Sequence, residues 1–165
     1  MKRYFVVTMC MLSLVVLCCA CGNNDNKYNY IELGNDVYNM SEADYKGACE
    51  SVAYNDFRNE VIYSEEHKKI QCTGEVVQIC NEQTSDSEYY SEYRVNITKV
   101  DYGYGVTSYV DDIYVYYMLE KNPKLLEGDS VTLYGEMTES VTYTTVNNAN
   151  RTIPAMVAVY VDINE

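Results

Sequence analysis

Lys69-Ile70-Gln71-Cys72-Thr73-Gly74-Glu75-Val76-Val77-Gln78-Ile79-Cys80 carries the reading of the fold. Its apolar residues fall on even positions up to Cys72 and on odd positions at Ile79, and the change straddles Gly74. Side chains alternate along a strand with a period of two, so a change of parity exchanges the face that packs. A glycine at such a point marks a bulge, where one strand bends and serves two sheets.

The segments downstream are also strand-like. Tyr93, Val95 and Ile97 alternate with Arg94, Asn96 and Thr98 within residues 89–98. Residues 113–118 are apolar on both parities, which places them in a central or closed-sheet strand. Val131 and Leu133 point inward before Gly135, and residues 141–146 form a partner strand after a turn near Glu139-Ser140. Ala155, Val157, Val159, Val161 and Ile163 share one face of a last strand. Gly103, Gly105, Asn122-Pro123 and Asn147-Asn148 supply turn chemistry between them. Ahead of the strands, Ser41-Glu42-Ala43-Asp44 is a helix-start pattern, and Val52, Phe57 and Val61 form a buried side. The expectation is a mainly all-β domain over residues 41–165. It is a five- to six-stranded barrel with one or two short N-terminal helices, because a closed sheet leaves no free edges.

The beginning of the chain predicts its address. Met1-Lys2-Arg3 precede an apolar run from Tyr4 to Leu17, then Cys18-Cys19-Ala20-Cys21-Gly22. A basic head, an apolar middle and a small residue before a cysteine resemble a bacterial lipoprotein signal. The resemblance implies removal of residues 1–20 and lipidation of Cys21. Residues 21–40, rich in asparagine, then form a flexible tether. The expected location is the extracytoplasmic face of the cell membrane, held by acyl chains such as palmitate.

Charge narrows the expected partners. Twenty-five acids against twelve Lys and Arg give a net charge of −13, and loss of Lys2 and Arg3 makes the remainder more acidic. Phosphate binding is driven by Lys and Arg releasing counterions, so nucleic acid is excluded on this reading. Cys49, Cys72 and Cys80 remain after Cys21; an exported chain can join Cys49 to Cys72 or Cys80, and scattered cysteines otherwise read as small buried residues. No metal-ligand spacing occurs, no cofactor is implied, and no twelve-residue calcium loop is present. The one histidine, His67, lies in a charged run and reads as a solvated side chain. No enzyme is expected.

A resemblance covers residues 45–163. Tyr45-Lys46, Cys49, Tyr54-Asn55-Asp56-Phe57-Arg58-Asn59, Gly74-Glu75-Val76-Val77-Gln78-Ile79, Leu126-Glu127-Gly128-Asp129-Ser130-Val131-Thr132-Leu133-Tyr134-Gly135 and Thr152-Ile153-Pro154 occur in the order seen in bacterial OB-fold lipoproteins. That group is similar to the tRNA anticodon-binding-like OB domains of exported proteins. It implies a five-stranded OB barrel and no characterised activity. The segment 119–127 is too short for more than a vestige of the helix usual between the third and fourth barrel strands.

Nineteen tyrosines and no tryptophan provide the candidate contact residues. Tyr102, Tyr104, Tyr109, Tyr114 and Tyr116 lie on one loop and the strand after it, where OB folds bind. With bases disfavoured by charge, the expected ligand is a peptide, protein or glycan held by a non-enzymatic binding module. The alternative is an assembly protein of the cell envelope with no small ligand.

Overall fold

The computed structural model describes residues 33–59, 67–81, 90–118, 123–145 and 147–164. Its elements run α1 (Asp36–Asn39), α2 (Glu42–Ala48), β1 (Glu50–Ser51), α3 (Tyr54–Arg58), β2 (Lys69–Asn81), β3 (Ser91–Gly103), β4 (Val106–Tyr117), β5 (Ser130–Thr144) and β6 (Asn150–Asn164). The sheet order is β1-β2-β3-β4-β6-β5, and β2 also pairs with β5, which closes the barrel. This is an OB-type barrel of five strands with β1 as an extra strand and a few short helices, as the sequence predicts.

Gly74 makes the closure feasible. Residues Lys69 to Glu75 of β2 pair with β5, whereas Glu75 to Asn81 pair with β3. The strand therefore changes partner at Glu75, next to the glycine, and the bulge expected at Gly74 falls later: Ile70, Cys72 and Val76 all face the core, and the register against β3 shifts between Val76 and Gln78. A Cβ there would stand 2.4 Å from the Asn96 carbonyl oxygen and 2.8 Å from a Val95 methyl. Gly135 plays the corresponding part on β5, where the register against β6 shifts and a Cβ would lie 1.8 Å from the Val157 carbonyl oxygen. In both places backbone lies against backbone, and only hydrogen fits.

The interior follows from alternation. Ile70, Cys72 and Val76 of β2 meet Tyr93 and Val95 of β3, Ile113, Val115 and Tyr117 of β4, Val131 and Leu133 of β5, and Met156 and Ala158 of β6. Tyr93 and Tyr117 pack edge to face with ring centres 5.7 Å apart, a geometry worth about 0.5–1.5 kcal/mol beyond burial. Phe57 of α3 joins this core. The connection ahead of β5 has no helix among its described residues; it lays Leu125, fully buried, over the barrel. Gly128 N donates to Val76 O at 2.8 Å and Val76 N to Asp129 O at 2.9 Å, which ties this plug to β2.

Outside the barrel, Val37, Tyr45 and Cys49 pack on Val159 and Tyr160. Ser41 caps α2 by accepting from Asp44 N at 3.2 Å, as its sequence pattern requires. α3 starts at Tyr54, one residue before the expected cap Asn55, because the Asp56 carboxylate accepts from Ala53 N at 2.8 Å. Val61 lies outside the described residues.

Three expectations change. Residues 33–40, expected in a flexible tether, belong to the domain: Val37 is buried and Gly34 N donates to Glu136 Oε2 at 3.0 Å. His67 is not a solvated side chain; its Nδ1 lies 2.9 Å from the buried Glu136 carboxylate. The turn at Glu139-Ser140 does not form, because β5 runs on to Thr144 and β6 accompanies it through a register shift between Thr138 and Val141. Cys49, Cys72 and Cys80 are free thiols; the first two are small buried residues, as scattered cysteines read, and Cys80 is exposed.

Burial makes this core sensitive to alkali. It pushes the Cys72 thiol from an ordinary 9.0 up to about 12, and the Tyr116 hydroxyl from 10.0 up to about 12. Both stay protonated in the fold at a pH where the unfolded chain would release the proton. Their contribution is complete below the unfolded values and is lost as pH climbs towards the folded ones. The urea midpoint should accordingly fall from about pH 8 to about pH 11; a midpoint flat over that range would disprove the assignment. Gly135→Ala should destabilise the barrel by about 1–3 kcal/mol or more in the same measurement, since the new methyl meets backbone that cannot turn aside.

Candidate ligand groove

The barrel wall parts where β3 leaves β2. Residues Glu92 to Asn96 pair with β2, and beyond Asn96 the strand pairs with β4 alone among the described residues. On the other side of the parting lie β1 and the start of α3, fixed by Val52 N donating to Gln71 O at 3.0 Å. The trough between them has a volume of about 470 Å³. Tyr54, Thr73, Ile97, Lys99 and Tyr109 are among the side chains that line it, a mixed polar and apolar surface.

Each wall is held in place by its neighbours. Asn96 Nδ2 donates to Tyr109 O at 3.0 Å, bracing the β4 side. Asp111 takes φ +64°, a left-handed conformation that aspartate accepts more readily than most residues. The next residue, Asp112, turns inward and is 3% exposed. Arg94 Nε donates to Asp112 Oδ2 at 3.0 Å, Arg151 Nη2 donates to Oδ1 at 2.5 Å, and Arg94 Nη1 reaches Gln78 Oε1 at 2.9 Å. Burial, with the charges of Asp111 and Asp112 second, raises the Tyr54 hydroxyl above its ordinary value. It therefore remains a neutral donor on a flat apolar ring.

The expected contact residues separate into three groups. Tyr102 and Tyr104 are exposed, at 61% and 107%, but they lie at the far end of the β3–β4 hairpin. Residues 102–109, expected as a loop, are strand and tight turn. Tyr104 and Gly105, with φ +55° and +78°, make the two-residue connection, which matches the twist of a hairpin. Tyr109 alone lines the trough. Tyr114 and Tyr116 are buried with Tyr90 and Val157 in a second apolar cluster, and the Tyr114 hydroxyl donates to Glu92. Those two rings pack structure and offer no face to solvent.

Tyr54, Ile97, Thr73 and Lys99 were not singled out as contact residues by the sequence reading. Tyr54 has a local signal, since it opens the Tyr54-Asn55-Asp56-Phe57 stretch just before the barrel. The other three become neighbours only when β2 and β3 separate. Cys21 and residues 1–32 lie outside the described residues.

No family model matches the chain, and no curated protein matches it. Among solved structures it is similar to the small single-stranded DNA-binding protein of Streptomyces coelicolor. The TM-score is 0.43 at 14% identity, over 58% of this chain and 93% of that one. It is also similar to the mitochondrial single-stranded DNA-binding protein Rim1 of S. cerevisiae. There the TM-score is 0.32 at 14% identity, over 59% and 95% of the two chains. At such identity the ligand of this chain has to be argued from its own residues.

The expected peptide, protein or glycan ligand and the exclusion of nucleic acid are corrected here. The similar structures are of proteins named for binding single-stranded DNA. The physical reason is that net charge belongs to the whole chain. Asp112, Glu92 and Glu136 are turned inward onto Arg94, Arg151, Tyr114 and His67. Lys99 is the charged side chain lining the trough.

The internal aspartate has a measurable consequence. Asp112→Asn would leave Arg94 and Arg151 with a neutral partner, at a cost of about 1–3 kcal/mol in urea unfolding. Thr107→Asn, on the exposed part of the hairpin, should change stability by less than about 0.5 kcal/mol.

Proposed function

We propose that this domain is a single-strand-binding OB module that takes a few nucleotides of unpaired nucleic acid in the trough between Tyr54, Tyr109 and Lys99. The observation that carries the reading is the trough itself. It is open, and it places two tyrosine rings and one ammonium group where the barrel wall parts. An open groove suits an extended chain, and each base offers a flat face to a ring. Stacking of this kind contributes about 1–3 kcal/mol per base and tolerates any sequence.

The acidic surface gives this binder an unusual salt response. A typical single-strand binder gains affinity at low salt, because phosphates release counterions to many Lys and Arg. Here Lys99 is the cation in the trough and the chain as a whole carries −13. Long-range repulsion opposes approach, and salt screens it. Stacking is left to hold the ligand.

The module acts by binding and not by catalysis; His67, the chain's one histidine, is committed to Glu136. Its proposed location is the extracytoplasmic membrane face, held by acyl chains on Cys21 after removal of residues 1–20, as in the OB-fold lipoproteins it resembles. The support is the Lys2-Arg3 head, the apolar run and Ala20 before Cys21. Mass spectrometry of the mature N-terminus should find an acylated Cys21; an intact Met1 in the membrane fraction would contradict the location.

Fluorescence anisotropy with a labelled oligothymidylate tests the ligand. Affinity should hold steady or rise from about 50 to about 200 mM salt. Tyr54→Ala and Tyr109→Ala should each weaken binding by about 1–3 kcal/mol in chains whose circular dichroism spectrum matches the parent. Absence of binding throughout that salt range, or equal binding by the Tyr54→Ala/Tyr109→Ala chain, would refute the proposal.

A further inference from the structure

The β3–β4 hairpin extends beyond the barrel as a two-stranded ribbon. Among the described residues, 97–103 have a ladder partner only in β4, and 106–113 only in β3. Each outer edge therefore presents backbone donors and acceptors to solvent, the condition under which a strand recruits another strand. The ribbon also holds Tyr102, Tyr104 and Val106, three of the large apolar side chains most exposed in the domain.

The two edges differ. On β4 the left-handed Asp111 interrupts the extended backbone, and the buried Asp112 beside it is already engaged with Arg94 and Arg151. That edge is guarded. On β3 the backbone is regular from Ile97 to Asp101, with the first irregularity between Asp101 and Gly103. The charges along it are Lys99 and Asp101, both exposed and, two apart, on the same face of the ribbon.

We infer that this β3 edge is a homodimer interface, in which two copies of the chain pair antiparallel about a two-fold axis at Val100. Edge-to-edge pairing of identical strands about such an axis sets each residue opposite one whose number makes a constant sum with its own. Centred on Val100, the pairing places Lys99 opposite Asp101 of the second copy, and does so twice. Thr98 then faces Tyr102 of the second copy, and Val100 faces itself. Moving the axis to Lys99 opposes two ammonium groups, and moving it to Asp101 opposes two carboxylates. Like charges directly opposite each other are destabilising, and opposite charges favour the pair. A lysine on an edge strand ordinarily repels other strands; in this one register it selects a second copy of itself. Barrel closure removes every other edge of β3, so the exposed ribbon is where the second copy fits.

Directly opposed residues of antiparallel strands have Cα atoms about 4.5–5.5 Å apart, within the reach of a disulfide. The full chain in mild detergent, carrying Val100→Cys, should form far more disulfide dimer on mild oxidation than the unsubstituted chain. Lys99→Cys alone should not, while a mixture of the Lys99→Cys and Asp101→Cys chains should cross-link. In sedimentation of chains without added cysteine, Lys99→Asp should lower self-association severalfold, and Lys99→Asp/Asp101→Lys should restore it. All of these positions are on the ribbon, and an unchanged circular dichroism spectrum confirms the fold of each variant. The inference is overturned if Val100→Cys yields no dimer above the parent, if Lys99→Cys dimerises equally well, or if the charge reversal fails to rescue Lys99→Asp. Lys99 also lines the trough, so these experiments are run without nucleotide, and the Tyr54→Ala chain, altered away from the ribbon, tests the trough separately.

Discussion

Everything in this barrel turns on the close approach of β2 to β3 at Gly74. One strand pairs with β5 along its first half and with β3 along its second. The crossover brings the glycine's Cα against the Asn96 carbonyl, and no side chain fits between them. From that contact the rest of the geometry follows. The sheet closes because β2 can serve two neighbours, and the wall opens just beyond it because β3 cannot stay with β2 past Asn96. The same glycine thus seals the core and creates the trough.

Closure also sets where the acids go. A chain of net charge −13 cannot leave every carboxylate on a small surface without self-repulsion. Asp112, Glu92 and Glu136 are drawn inward, each onto hydrogen-bond donors from another part of the chain. These contacts do structural work at the barrel's corners. Glu136 holds Gly34 and His67 and so secures the N-terminal segment across β5. Asp112 gathers Arg94 and Arg151 behind the trough wall. The tyrosines divide in a similar way, with Tyr93 and Tyr117 filling the barrel interior, Tyr114 and Tyr116 packed in the second cluster, and Tyr102 and Tyr104 left at the ribbon tip. Residue type alone could not separate them, since tyrosine suits both a packed wall and a wet surface.

Where reading and structure part, the cause is a long-range contact. Residues 33–40 join the domain, against what composition suggests, because Val37 finds Val159 and Tyr160, more than a hundred residues away. β5 continues past Glu139-Ser140 because β6 runs beside it and the extra β5 residue is taken up as a bulge, which costs less than a chain reversal would in lost ladder bonds. The ligand surface is misread for the same reason: Tyr54, Ile97 and Tyr109 meet only after β2 and β3 diverge.

The amino-acid order by itself determined the strands, from alternation such as Tyr93-Val95-Ile97, and it marked Gly74 as the place where one strand comes to serve two neighbours, although the parity change itself falls after Val76. It determined the cap at Ser41 and the turns at Gly103 and Asn148, because these depend on neighbours within a few residues. Tertiary structure alone decided which tyrosines are buried, which carboxylates are paired and where the wall parts. Those outcomes depend on distances between segments far apart in the chain, and local periodicity holds no information about them.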